Sequence, residues 1–99
     1  MKTLFHGTTA KSEILKDGFN TELVFLTSRM EVAEMYADYF VSVVVDEDDL
    51  LIDLDQPGAI GLTVEQANIM TGNDFSCADD YLDAGFSVCI AAKNIKRVH

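Results

Sequence analysis

The sequence contains few of the residues from which disulfide frameworks and metal centres are built. Its 99 residues include no tryptophan, one proline, two cysteines and two histidines, one of which is the terminal His99. Cys77 and Cys89 have neither a second cysteine pair nor a histidine nearby at metal-ligand spacing. Cysteines in such a setting are expected to be reduced thiols. We therefore predict neither a disulfide scaffold nor a metal site.

Long apolar runs are also missing. Stretches such as Val43–Val45 and Cys89–Ala92 are far shorter than the ~20 residues that cross a bilayer. The first residues lack the apolar centre of a signal peptide. With 48% apolar residues, the chain has enough for one core of the usual domain size, about 100–150 residues. We expect a single domain over residues 1–99, located in the cytoplasm and not bound to membranes.

Basic charge is absent from the middle of the chain, where no lysine or arginine occurs between Met30 and Ala92. The formal net charge is −10, and this surface should repel nucleic-acid phosphates while attracting a basic partner. The acidic residues either only keep the protein soluble or form a surface that binds a basic partner. The densest group, which is the candidate partner-binding surface, is the acidic turn Asp46, Glu47, Asp48 and Asp49.

Apolar runs, turn residues and helix caps predict an α+β fold, a compact single domain with small mixed or antiparallel sheets and short helices. Val41–Val45 and Leu50–Leu54 are expected to form a hairpin around the acidic turn, and Pro57, Gly58 and Gly61 a loop. Capping boxes are predicted at Ser28/Glu31 and Thr63/Gln66. The predicted strands are 2–6, 23–26, 41–45, 50–54 and 86–91, with 95–98 beside the last. The first predicted helix is capped by Thr8 or Thr9, passes through Leu15 and stops at Gly18; the others are 29–39, 63–70, which ends at Gly72, and 76–83.

Most catalytic signatures are absent. No nucleophile elbow, phosphate-binding loop or dinucleotide glycine fingerprint occurs. Cys89 lies in an apolar run, where a thiol usually serves as a small hydrophobic residue. The acidic turn does not follow the ligand pattern of a calcium loop, and Asp53 and Asp55 can share one strand face but have no histidine beside them in sequence.

One combination does indicate a site. A strand ends in His6-Gly7-Thr8, a second strand carries Phe25, and a helix with a predicted cap carries Ala33 and Tyr36. A lone histidine is often structural, but this set resembles the nicotinamide end of the ADP-ribosyltransferase fold, in the diphtheria-toxin and poly(ADP-ribose) polymerase branch. The resemblance covers residues 3–40, with a looser fit at 85–86 and 94–95.

The resemblance implies a site for NAD, which is the substrate of such proteins. His6 would hydrogen-bond the ribose, Gly7 would pair through its backbone with the carboxamide as part of the motif with Thr8, and the rings of Phe25 and Tyr36 would enclose the nicotinamide. Such folds add a glutamate from a late strand; residues 86–92 contain no acid, and Asp83 is the nearest candidate. The catalytic residues implied are therefore His6 and Asp83.

Two functions follow from the resemblance. The first is transfer of ADP-ribose from NAD to a protein or nucleic-acid target. The second is a non-catalytic acidic protein built on the same fold, which binds a basic protein or mimics nucleic acid, as a small viral inhibitor would. The sequence leaves open whether the protein is an enzyme.

Overall fold

The computed structural model describes residues 1–36 and 39–99, with the side chains of Glu34 and Tyr36 outside that description. The described residues form seven strands and four α-helices. The strands are β1 (Lys2–Thr8), β2 (Leu23–Leu26), β3 (Tyr39–Val45), β4 (Leu51–Asp53), β5 (Ile60–Leu62), β6 (Ser87–Ala91) and β7 (Arg97–Val98); the helices are α1 (Lys11–Asp17), α2 (Met30–Tyr36), α3 (Val64–Thr71) and α4 (Ala78–Asp83).

The strands form two antiparallel sheets. The first has the order β1-β3-β7 and the second the order β2-β6-β4-β5. Leu4 lies opposite Val43 in the first sheet, and Leu26 lies opposite Val88 in the second. The predicted α+β class, a compact domain with antiparallel sheets and short helices, is confirmed.

The core uses the two-residue repeat of the strands. Val41, Val43 and Val45 of β3 are fully buried, because alternate side chains of a strand point to one face. Tyr81 of α4 is also fully buried, and its hydroxyl donates to Asn68 Oδ1 at 2.7 Å. This bond supplies the partner that a buried phenol requires and ties α4 to α3.

The predicted hairpin between residues 41–45 and 50–54 is wrong. β3 pairs with β1 and β7, whereas β4 pairs with β5 and β6. The acidic turn forms a 3₁₀ helix, Glu47–Asp49, that carries the chain from one sheet to the other. Its first turn is closed by Asp46, whose Oδ1 accepts from the Asp48 backbone N–H at 3.0 Å.

Two other strand predictions also need correction. β7 lies beside β3 and not beside β6. The expected loop around Pro57 contains β5, which pairs with β4 across a bulge at Ile52 and Asp53. A strand of three residues is too short for an alternating apolar pattern to reveal it.

The start of a helix was predicted correctly where both partners of a capping box are present. Thr63 and Gln66 form the predicted capping box, and Gly72 ends α3 in the left-handed conformation. In contrast, α1 begins after Ala10, because Thr8 belongs to β1. The helix predicted to run to Tyr39 has Tyr36 as its last described residue, and Tyr39 begins β3. Within the described residues, no helix combines the length and apolarity needed to cross a membrane.

Candidate functional site

The two sheets meet at a backbone bridge between Phe5 and Thr27. The N–H of Phe5 donates to the Thr27 carbonyl at 2.8 Å, and the N–H of Thr27 donates to the Phe5 carbonyl at 2.9 Å. Phe5 lies within β1, and Thr27 directly follows β2. The bridge therefore sets the middle of β1 against the end of β2 in the four-stranded sheet, and we call this junction the seam.

A cavity of about 390 Å³ opens at the seam. This volume lies within the range of about 300–1,000 Å³ that is usual for small-molecule sites. Five strands and α2 contribute to its wall, with further residues from the loops that follow β2 and β4. The lining residues are Phe5, His6, Gly7, Phe25, Leu26, Thr27, Ala33, Asp53, Asp55, Ile60 and Ser87.

His6 is held in a defined orientation in this wall. Its Nδ1 lies 2.7 Å from the carbonyl oxygen of Phe25, and its ring meets the Phe19 ring edge-on, with 5.3 Å between centroids. A carbonyl only accepts hydrogen bonds, so Nδ1 must carry the proton. In the neutral tautomer that this bond selects, Nε2 is a hydrogen-bond acceptor.

Phe25 supplies the largest aromatic surface of the cavity wall that remains open to solvent. Phe25 is 44% exposed, whereas its neighbours in β2, Val24 and Leu26, are buried in the core. Phe5 is less available, since it packs edge-on against Phe40 with 5.7 Å between ring centroids. An open aromatic face in a concave wall can stack on a flat ligand.

Asp53 brings a carboxylate to the cavity from β4. It pairs in register with Ser87 of β6 and Ile60 of β5, and all three residues line the cavity. Side chains directly opposite each other in a sheet lie on one face. The pairing of β4 between β5 and β6 therefore places Asp53 at the site.

A second carboxylate follows two residues later. Asp53 Oδ1 accepts from the Asp55 backbone N–H at 2.7 Å, and Asp55 has a positive φ of 57°. Aspartate is among the few residues other than glycine that adopt this left-handed conformation readily. The turn thus fixes the Asp53 carboxylate and brings Asp55 to the same wall.

The buried thiol of Cys89 lies on the face of the sheet that carries these groups. Cys89 pairs with Phe25 on one side and with Leu51 on the other, two residues along β6 from Ser87. Burial raises the pKa of this thiol, and the charge of Asp53 raises it further. A protonated buried thiol is inert, so Cys89 is a packing residue here.

The structure brings together His6, Gly7 and Phe25 of the predicted NAD site. Thr8 is buried and does not belong to the cavity lining; its Oγ1 instead accepts from the Ala10 N–H at 2.9 Å. Tyr36 is the last described residue of α2, and the prediction for its ring lies outside the described residues.

Asp83 lies in a different part of the molecule from His6. It ends α4 as an exposed residue and lies near enough to Lys2, at the opposite end of β1, to raise the pKa of that lysine. Among the described residues, the carboxylates that line the cavity are Asp53 and Asp55. The sequence signal for these two residues was that Asp53 and Asp55 can share one strand face, and the histidine that joins them in the cavity wall, His6, is distant in sequence.

The predicted partner-binding residues Asp46, Glu47, Asp48 and Asp49 form an acidic end of the molecule with α4. Lys2 Nζ lies 2.7 Å from Asp79 Oδ1. This hydrogen bond is the main cause that raises the Lys2 pKa, with charge contributions from Asp79, Asp83 and Glu47. Lys2 thus lies among acidic residues of two neighbouring elements, α4 and the 3₁₀ helix.

Within residues 1–36 and 39–99, no group of three histidine, cysteine or acidic side chains is arranged to hold a metal ion. Comparisons with protein-family models, curated proteins and solved structures found no match to this chain.

Proposed function

We propose that this domain binds NAD with the nicotinamide end in the seam cavity, as an ADP-ribosyltransferase-like protein. The observation that carries the proposal is that His6, Gly7 and Phe25 line one cavity together with two carboxylates. His6 and Gly7 lie on β1 of one sheet, and Phe25 lies on β2 of the other. The family resemblance assigned all three residues to one ligand from the sequence, without any information that the two sheets meet.

Each group offers the interaction that the nicotinamide riboside needs. The exposed face of Phe25 stacks on the pyridinium ring, a contact worth about 0.5–1.5 kcal/mol beyond area burial. His6 accepts a ribose hydroxyl at Nε2, since its other nitrogen donates to the Phe25 carbonyl. The backbone of Gly7 pairs with the carboxamide.

The proposed reaction breaks the bond between ribose C1′ and the pyridinium nitrogen. Nicotinamide leaves with the bonding electron pair as a neutral molecule, and positive charge develops on the ribose. A nucleophile of the target then bonds to C1′ and loses its proton. A carboxylate stabilises the developing charge, and we assign this role to Asp53 instead of Asp83, because Asp53 lines the cavity.

Calorimetric titration with NAD⁺ tests the proposal. The wild-type protein should bind with a stoichiometry of one, and His6→Ala should weaken binding. His99→Ala is the matched control, since it removes the other histidine at the end of the chain. Binding of NAD⁺ by His6→Ala as tight as by the wild type would contradict the proposal, and so would the absence of wild-type binding at millimolar NAD⁺.

The acidic end supports a second candidate function, binding of a basic protein. We propose that the acidic residues of the 3₁₀ turn and α4, which are exposed or half-buried, form this surface, whether or not the cavity is active. Reversal of Asp46, Asp48 and Asp49 to lysine should abolish capture of a basic partner, whereas His6→Ala should not affect it. Equal capture by both variants would exclude this surface.

A further inference from the structure

We infer that a groove lined by α3 and the segment 73–76, the α3 groove, binds a basic peptide segment of a partner protein through an aliphatic anchor side chain. The inference rests on the second candidate function, binding of a basic protein, and is independent of NAD binding. It specifies where the apolar part of that partner binds and what chemistry the partner has.

The α3 groove is separate from the seam cavity, since the two share no lining residue. It has a volume of about 640 Å³. Its apolar wall consists of Val64 and Ile69 of α3 and Phe75 of the segment that follows. Ile69 is 79% exposed, so its side chain contributes little to the core and is available for contact with a partner.

The wall opposite α3 is fixed in place by Asn68. The amide Nδ2 of Asn68 donates to the Phe75 carbonyl at 2.9 Å, and its Oδ1 accepts from the Phe75 N–H at 3.3 Å. The Phe75 ring packs edge-on against Tyr81, with 4.7 Å between ring centroids. Because both sides of the groove are held in this way, binding orders few additional groups and loses little conformational entropy.

Acidic residues lie along the apolar wall. Glu65 lines the groove, and Asp74 is exposed between two lining residues. Asp80 of α4 accepts at Oδ2 from the Ser76 N–H at 3.0 Å, so the groove continues to the acidic end of the molecule. Among the residues that the structure describes, no lysine or arginine lines the groove. The groove therefore attracts lysine and arginine side chains and repels acidic segments.

A second copy of this chain is the alternative occupant. Each copy carries a formal net charge of −10, so two copies repel each other. The same field attracts a partner that carries positive charge. This difference favours a basic partner over self-association.

Three synthetic peptides test the two requirements, the apolar anchor and the positive charge. The first contains leucine anchors flanked by lysines. The second has serine in place of each leucine, and the third has glutamine in place of each lysine. Fluorescence anisotropy with labelled peptides measures the dissociation constants for the wild type and for four variants.

Two pairs of variants are matched by position. Ile69→Gln removes the exposed anchor contact of the groove, and Met70→Gln is its control, because Met70 is the next residue of α3, is 55% exposed and does not line the groove. Glu65→Gln removes a groove charge from the first turn of α3. Glu13→Gln is its control, because it removes an exposed glutamate from the first turn of α1. Thermal melting without peptide confirms that all four variants are folded.

The wild type should bind the first peptide about tenfold tighter than the serine peptide, as expected for burial of an aliphatic side chain. Ile69→Gln should weaken binding of the first peptide by a similar factor, and Met70→Gln should not. Glu65→Gln should weaken it about threefold at low salt, as expected for one partly exposed ion pair, and Glu13→Gln should not.

The outcomes separate the inference from the second candidate function. Equal affinity for the leucine and serine peptides overturns the inference and leaves binding of a basic partner intact, and so does an equal loss of affinity in Ile69→Gln and Met70→Gln. Equal affinity for the lysine and glutamine peptides overturns both, as does absence of binding by all three. Dimerisation of the wild type in sedimentation equilibrium that Ile69→Gln abolishes would assign the groove to a second copy and overturn the inference.

Discussion

His6 and Phe25, nineteen residues apart, are joined by a 2.7 Å hydrogen bond between the imidazole Nδ1 and the Phe25 carbonyl oxygen. The bond connects β1 of one sheet to β2 of the other, beside the Phe5–Thr27 bridge. It also occupies Nδ1, so a ligand of the proposed site would bind the imidazole through Nε2. One contact therefore contributes to both the stability of the seam and the chemistry of the cavity.

Replacement of His6 should measurably destabilise the domain even without a ligand. His6→Ala removes a hydrogen bond worth about 1 kcal/mol and an edge-on contact with Phe19. For a domain of this size, 1 kcal/mol corresponds to a decrease in Tm of about 4–8 °C. Calorimetric melting should show this decrease for His6→Ala and almost none for His99→Ala. Equal Tm values for the two variants would contradict the structural role of His6.

The two candidate catalytic carboxylates should differ in their effect on NAD cleavage. If the domain releases nicotinamide from NAD⁺, Asp53→Asn should reduce the rate by about 10²–10³, the usual cost of removing one group that stabilises developing charge. Asp83→Asn should have little effect, because Asp83 lies near Lys2 at the other end of β1. Chromatographic assay of released nicotinamide measures both rates, and a larger loss in Asp83→Asn would restore the assignment made from sequence.

Stability should fall at alkaline pH because of Cys89. Burial raises the pKa of this thiol in the native protein, whereas in the unfolded chain the thiol ionises near its usual pKa of about 8.5. The folded state then holds a proton that the unfolded state releases. The contribution of Cys89 is complete below pH 8.5 and is lost as the pH rises towards the native value.

Urea unfolding at pH 7 to pH 10 checks this effect. The free energy of unfolding should decline less steeply with pH in Cys89→Ala than in wild type or Cys77→Ala, which removes the exposed thiol. Iodoacetamide should label Cys77 and spare Cys89 in the native protein. Identical pH slopes in all three proteins would show that Cys89 is not protected.

Lys2 should contribute to stability mainly by offsetting repulsion at the acidic end. Lys2→Met removes the partner of Asp79 and leaves the acids of α4 and the 3₁₀ turn uncompensated. We expect a loss of about 1 kcal/mol, the upper part of the range for partly exposed ion pairs. Added salt should recover part of it by screening the acids.

Urea denaturation at low and high salt measures this contribution. Lys93→Met is the control, since Lys93 is exposed in the short 3₁₀ turn Ala92–Asn94. Equal losses of unfolding free energy in Lys2→Met and Lys93→Met at both salt concentrations would contradict this role of Lys2.

The sequence predicted most local elements, because the signals for them are local. The Thr63/Gln66 capping box predicted the start of α3, and the β-branched run near Val43 predicted β3. The short apolar run near the start of the sequence also predicted that His6 and Gly7 lie at the end of β1. These features depend on neighbours within a few residues along the chain.

The pairing of the strands could not be predicted in the same way. The short separation of Val45 and Leu50 in sequence favoured a hairpin between β3 and β4. In the structure each of these strands is buried in a different sheet. Asp53 reaches the cavity only because β4 inserts between β5 and β6. That arrangement depends on residues far away in sequence, so the sequence pointed to Asp83 instead.

The most direct test of the central claim is an NMR titration of ¹⁵N-labelled protein with NAD⁺. The account predicts saturable shifts of backbone amides in the cavity wall, strongest at Gly7, Phe25 and Asp53, with the amides of Glu47 and Asp48 unmoved. Shifts centred on the acidic turn, or an unchanged spectrum at millimolar NAD⁺, would contradict it.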